Sequence, residues 1–158
     1  MLSLLRSTDP DIVCFQEVAP VSFEDDFLFM NDLGYDGKEM FKKGRFRPAT
    51  FWKSSKIELA SPPVHKDRTL LTAFRCVSSP LENAAHHTWY VLNCHLQSGS
   101  EGKRRVRQIN EGVRGVMTLA RKLKGRPRYE SHRNIRQRIF LCNAFTRKQK
   151  RTLSKTFH

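Results

Sequence analysis

Three short segments carry residue types that could work on a phosphate. Pro10 to Val18 reads Pro-Asp-Ile-Val-Cys-Phe-Gln-Glu-Val, a buried-strand pattern that ends on Gln16 and Glu17. A carboxylate at the C-terminal end of a strand sits at a sheet edge, where sites are commonly built. A hard cation such as Mg2+ would be held there by one or two carboxylates, water and substrate phosphate. The plainer alternative makes Glu17 the first solvent-exposed residue after a core strand. In Val91-Leu92-Asn93-Cys94-His95-Leu96, Asn93 and His95 alternate along a strand-like run, so both point to one face. An amide and an imidazole can both donate hydrogen bonds to a phosphate; a satisfied core histidine is the alternative. Gly44 to Lys53, Gly-Arg-Phe-Arg-Pro-Ala-Thr-Phe-Trp-Lys, interleaves basic and aromatic residues. That suits stacking and charge contact with a nucleic acid, or equally an exposed loop entering a core strand.

The elements that must position these residues alternate in type. Leu2 to Arg6 reads as the last turn of a helix, ended by Ser7-Thr8-Asp9-Pro10 because the residue before proline avoids the helical region. Asp11 to Phe15 is a strand. Ser22 can cap a second helix, with Asp25 completing a near capping box and Phe23, Phe27, Met30 and Leu33 at helical spacing before Gly34. Glu39–Lys42, Ala49–Lys53, Ile57–Ala60, Leu70–Val77 and Thr88–His95 then read as strands with short Gly-, Pro- and Asn-bearing connections. Glu101 to Lys124 returns to the helix period, with Val106, Ile109, Val113, Met117, Ala120 and Leu123 on one apolar face. Ile139 to Cys142 could be a last strand. This order predicts an α/β (α+β) fold of mixed sheets covered by helices.

Length and composition bound the function. The chain has 158 residues, 39% hydrophobic and 28% charged, which fits one domain with a real core. No apolar run reaches the roughly 18 residues of a membrane span, and Arg6, Thr8 and Asp9 interrupt the apolar start too early for a signal peptide. An intracellular setting, cytoplasmic or nuclear, follows as the expectation. Cys14, Cys76, Cys94 and Cys142 form no C-x-x-C pair, which argues against zinc and for reduced thiols. The net charge of +14 is uneven: residues 1–120 hold 16 Lys/Arg against 14 Asp/Glu, while residues 121–158 hold 13 against one. Such a tail can bind phosphate backbones by counterion release, or be a solvated extension that binds nothing.

Taken together, Asp-Ile-Val-Cys-Phe-Gln-Glu, then Ala-Thr-Phe-Trp-Lys, then Leu-Asn-Cys-His-Leu resembles the endonuclease/exonuclease/phosphatase superfamily. The nearest branch is the deadenylase, nocturnin and angel group. Arg104 to Gln108 is also similar to that branch, where an Arg and a Gln open the helix after the histidine strand. The resemblance covers about residues 2–125. It implies a partial four-layer α/β/β/α sandwich, DNase-I-like, with residues 1–125 as the N-terminal part of the domain and 126–158 as a basic, disordered or aberrant tail. It implies that Glu17 is a ligand of Mg2+ (or Mn2+), and that Asn93 and His95 are catalytic residues that help hold the scissile phosphate.

The resemblance also marks departures. The superfamily has an Asn on a strand before the point where this chain starts, and a late Asp-His pair that this chain lacks. Its Gly-Asp-Phe-Asn would fall on Asn143-Ala144-Phe145-Thr146, so that Ala144 replaces the Asp and Thr146 the Asn. The expectation is a fragment of a metal-dependent phosphodiesterase or nuclease, RNA 3'-exonuclease-like, weak or inactive alone. RNA stands ahead of DNA as the partner, and another phosphodiester is open. The alternative is a non-enzymatic nucleic-acid-binding protein that uses the basic tail, which would lose affinity steeply with salt and need no metal.

Overall fold

The computed structural model describes residues 1–40, 47–77, 88–123 and 138–143. Helix α1 (Leu2–Thr8) leads through a left-handed Asp9 into β1 (Ile12–Val18). Two single-turn helices follow, α2 (Phe23–Asp26) and α3 (Phe29–Asp32), then β2 (Gly37–Met40) and β3 (Arg47–Trp52). These three strands pair antiparallel in the order β1-β3-β2. The second sheet contains β4 (Ile57–Leu59), β5 (Val64–Lys66), β6 (Thr69–Cys76), β7 (Trp89–Cys94) and, after helix α4 (Gly102–Leu123), β8 (Arg138–Asn143). Its order is β4-β6-β7-β8, with β5 also on β6. The β7–β8 pair is parallel, as a crossover through a helix requires.

Strand alternation sorts the side chains into layers. On the outer face of the first sheet, Phe15, Phe27 and Phe51 pack with Leu5, Phe23 and Met30 from α1 to α3. Between the sheets lie Ile12, Cys14, Trp52, Ile57, Phe74 and Val91. On the outer face of the second sheet, Leu71, Ala73, Tyr90 and Leu92 meet Val116, Leu119 and Ala120 of α4. The result is the expected α/β/β/α arrangement.

Several elements differ from the sequence reading for identifiable reasons. The helix expected from Ser22 is broken into α2 and α3. Ser22 donates its hydroxyl to the Asp26 carboxylate and makes no capping bond to the backbone, so the capping box does not form. Strand β5 was not anticipated, being three residues long between Pro63 and Asp67. Strand β8 lies beyond residue 125 and still joins the sheet, its register running from Trp89↔Arg138 to Cys94↔Asn143.

Helix α4 is rotated from its expected apolar face. Its buried residues are Gln108, Gly112, Val116, Leu119 and Ala120, while Val106, Val113 and Met117 are exposed. Gly112 accompanies the rotation: it faces β7, and a Cβ there would lie 2.7 Å from Leu92 Cδ2, so the glycine lets the helix sit this close without moving the leucine. Among the described residues no helix is long and apolar enough to cross a membrane.

The first sheet closes on a similar contact. Gly37 pairs with Trp52, and a Cβ on Gly37 would fall 2.1 Å from the indole. A rigid ring cannot give way as a leucine end can. Gly37→Ala is therefore expected to destabilise the protein by about 1–3 kcal/mol through overpacking. Urea unfolding followed by tryptophan fluorescence measures this, and an unchanged midpoint would contradict the packing described.

Candidate functional site

The site begins with a proline. Phe15 pairs with Ala49 and Val18 with Arg47, so Gln16 and Glu17 together oppose Pro48 alone. Pro48 has no amide hydrogen and cannot complete the ladder there. Strand β1 takes up its extra residue as a β-bulge. Glu17 absorbs the distortion, with φ at 60°, in the left-handed region. A non-glycine residue held there costs on the order of 1–3 kcal/mol, and such residues cluster at functional sites. The strand is fixed just before the bulge by Phe15, whose ring lies 4.8 Å from Phe27 and 5.7 Å, edge-on, from Phe51.

Asn93 supports the bulge from the opposite sheet. It is fully buried on β7 and points across the inter-sheet gap. Its Nδ2 donates to Ala49 O at 2.8 Å and to Phe15 O at 3.2 Å, the two residues of the last regular rung before the bulge. Thr50 Oγ1 lies 3.3 Å away as a further acceptor. Its Oδ1 accepts from Gln16 Nε2 at 2.8 Å. The amide expected to contact a phosphate is thus spent inside the protein, holding β1, β3 and β7 together. What reading the strand in isolation missed is that an inward-facing polar residue between two sheets finds its partners in the other sheet.

His95 lies just past the end of β7, where its N–H donates to Arg68 O at 2.9 Å and continues the ladder by one residue. Its side chain therefore keeps the face of Asn93. His95 Nε2 lies 3.4 Å from Glu17 Oε1, with the imidazole 20% and the carboxylate 71% exposed. The imidazole is anchored and the carboxylate faces solvent at the sheet edge.

A third layer fixes the segment carrying His95. Buried Gln108 on α4 accepts from Gln97 N at 3.0 Å through Oε1 and donates to Asp67 Oδ2 at 2.6 Å through Nε2. Arg105 Nη1 donates to Gly99 O at 2.7 Å and to Gln97 O at 3.4 Å. Helix α4 thereby ties together the loop after His95 and the β5–β6 turn, where Asp67 is itself left-handed at φ 40°. The Arg104–Gln108 stretch singled out in the sequence contains this link; Asp67 gave no sequence signal.

Glu17, Asn93 and His95 are brought together. The Gly44–Arg47 part of the basic-aromatic segment lies largely outside the described residues. Within β3, Thr50 and Trp52 face the other sheet and Phe51 the aromatic cluster. Ala144 and Thr146 are also outside the described residues. Asn143 is the β8 residue beside Cys94, so β8 ends at the same sheet edge as β7. Among the described residues no group of three or more His, Cys, Asp or Glu is placed to hold a metal. The donors at the edge are the Glu17 carboxylate and the His95 imidazole. A single carboxylate fits Mg2+, which keeps most of its waters and shares the rest of its shell with substrate phosphate; it does not fit an all-protein cage.

No protein-family model matches the chain, and no curated protein does. Solved structures do. A crystal structure of ANGEL2, a 2',3'-cyclic phosphatase, matches with a TM-score of 0.60 at 20% identity, over 75% of this chain and 37% of its own. The human Nocturnin catalytic domain with a bound sulfate anion gives 0.55 at 17% identity, over 80% and 56%. D. rerio TDP2 complexed with a single-strand DNA product gives 0.52 at 16% identity, over 80% and 52%. All three are proteins of the endonuclease/exonuclease/phosphatase superfamily. The fold of this chain is therefore the DNase-I-like fold they share, and the chain spans 37 to 56% of their lengths.

Removing the inter-sheet amide tests the geometry. Asn93→Ala strips the Phe15 and Ala49 carbonyls and the Gln16 amide of one partner each, in a buried to partly buried setting. At about 1–3 kcal/mol per buried group left unsatisfied, the expected loss of unfolding free energy is about 2–4 kcal/mol, read from urea denaturation. A loss below about 1 kcal/mol would mean that the amide does not hold the sheets together.

Proposed function

We propose that the chain carries part of a phosphoester hydrolase site at this sheet edge, with Glu17 as the ligand of a divalent cation and His95 as the phosphate contact. The observation that carries the reading is the approach of Glu17 Oε1 to His95 Nε2 at 3.4 Å from a backbone held at φ 60°. An exposed carboxylate on a strained bulge is an unusual expense for a purely structural glutamate. Its neighbour across the sheets, His95, carries a ring N–H that can be donated to a phosphate oxygen.

When bound, Mg2+ would polarise the phosphoryl oxygen and acidify a water. The protein's own contributions are narrower. Glu17 supplies the charged oxygen that fixes the cation at the edge. His95 directs a ring N–H toward a non-bridging oxygen; its backbone is held by the Arg68 carbonyl and the loop after it by Gln108. Asn93 acts as a positioning residue, because its amide is spent on backbone carbonyls. The fold is shared with a 2',3'-cyclic phosphatase and a protein complexed with single-strand DNA product, which supports a nucleic acid as the phosphate source; RNA ahead of DNA, and a cytoplasmic or nuclear setting, rest on the sequence alone.

By resemblance, Ala144 stands where the superfamily's catalytic set has an Asp. Loss of a general base alone costs about 10²–10⁴ in rate. The full chain is therefore expected to hydrolyse an oligoribonucleotide slowly, only with Mg2+, and at least about tenfold more slowly still after Glu17→Gln or His95→Gln. Product analysis on gels, with RNA, DNA and a simple phosphodiester in parallel, makes the measurement. Turnover that survives chelation and Glu17→Gln unchanged would place the activity elsewhere.

A further inference from the structure

The cations of this chain are not treated alike. Lys38, Lys53, Lys56 and Arg75 each pair with a carboxylate, on Glu24, Asp9, Asp11 and Glu58 respectively. The Lys53 ammonium holds the Asp9 carboxyl below its usual range. Beside the site the pattern reverses. Lys66 and Arg68 flank Asp67 in the β5–β6 turn, and Lys103, Arg104 and Arg107 lie on the first two turns of α4. All five are exposed or half-buried, and none forms an ion pair among the described residues. The Asp67 carboxylate between Lys66 and Arg68 accepts a hydrogen bond from Gln108 and pairs with neither cation, so it offsets only one of the five charges.

These five charges belong to one rigid rim. Gln108 joins the turn that carries Lys66 and Arg68 to the helix that carries Lys103, Arg104 and Arg107. The same side chain, with Arg105, holds the loop leaving His95. Along α4, Lys103 and Arg107 are one turn apart, about 6 Å at 1.5 Å per residue. Unpaired charges kept this close repel one another, and a polyanion laid across them relieves that repulsion.

We propose that this rim, from the β5–β6 turn to the first turns of α4, is the seat for the phosphates of a single-stranded nucleic acid beyond the one at Glu17 and His95. The inference rests on the proposed function for its register, because the strand enters the rim from that site. It goes further in naming the surface and its ligand. Arg and Lys meet phosphate oxygens with charge and donors together. A strand bound this way gains affinity without base specificity and releases counterions as it docks.

The test is salt-dependent binding of a fluorescent single-stranded oligonucleotide to the full chain carrying Glu17→Gln, which suppresses cleavage. Combining Lys103→Gln, Arg104→Gln and Arg107→Gln should lower the slope of log affinity against log salt by about 2, from roughly 0.7 per phosphate contact. Removing three charges further along the same helix, with Arg114→Gln, Arg121→Gln and Lys122→Gln, should leave the slope unchanged. Circular dichroism checks that both variants keep their helix content. An equal drop in both variants would overturn the proposal, since net charge alone would then explain it. A polyglutamate chain that binds as tightly and loses as much in the rim variant would overturn the nucleic acid as occupant. A rim-specific drop in a chain that hydrolyses nothing would uphold the surface and sink only the proposed reaction.

Discussion

Asn93 places a fully buried amide in the gap between two sheets, among apolar contacts that include Ile12, Trp52, Ile57, Phe74 and Val91. A buried amide of this kind costs several kcal/mol unless its hydrogen bonds are met. Here they are met by backbone carbonyls of β1 and β3 and by Gln16. The sheets therefore cannot slide by a residue without stranding both the amide and the carbonyls. The register fixed at Asn93 sets where the Pro48 bulge lies relative to β7. The bulge in turn sets where Glu17 stands relative to His95.

The energetics divide cleanly between frame and site. Aromatic packing around Phe15, Phe27 and Phe51 and the close seat of α4 on Leu92 supply apolar burial on the two outer faces. Against that, the protein tolerates a left-handed glutamate at the exposed edge and a left-handed aspartate at the turn beside it. Both strained residues adjoin His95, one through its carboxylate and the other through Gln108 and the loop that follows the histidine. The remaining left-handed non-glycine residue among the described ones, Asp9, closes α1 and has a structural role.

Much of this was legible in the chain. The alternation of Asn93 and His95 gave their shared face, and the Gln16-Glu17 ending gave the sheet edge. The helical and strand periods gave most elements to within a few residues. What escaped was non-local. Periodicity counts glycine as neither apolar nor polar, so the buried row through Gly112 was missed and the apolar face of α4 was set too far toward Val106 and Met117. The role of Asn93 depends on carbonyls that lie 44 and 78 residues away in sequence. Pro48 as the cause of the bulge becomes visible only when Phe15 is known to face Ala49. Asp67 is an ordinary turn residue until Gln108 is seen to hold it.

The most direct measurement is paramagnetic broadening of the histidine ring signals of the full chain, titrated with Mn2+ in the presence of dimethyl phosphate. If Glu17 holds the cation beside His95, the His95 ring resonances should broaden first, at substoichiometric Mn2+. Glu17→Gln should abolish that selectivity while leaving the His65 ring, which is paired with Glu39 of β2 at 2.9 Å, as it was. Broadening that begins at His65, or that is unchanged by Glu17→Gln, would contradict a cation and phosphate site built on the Glu17 bulge.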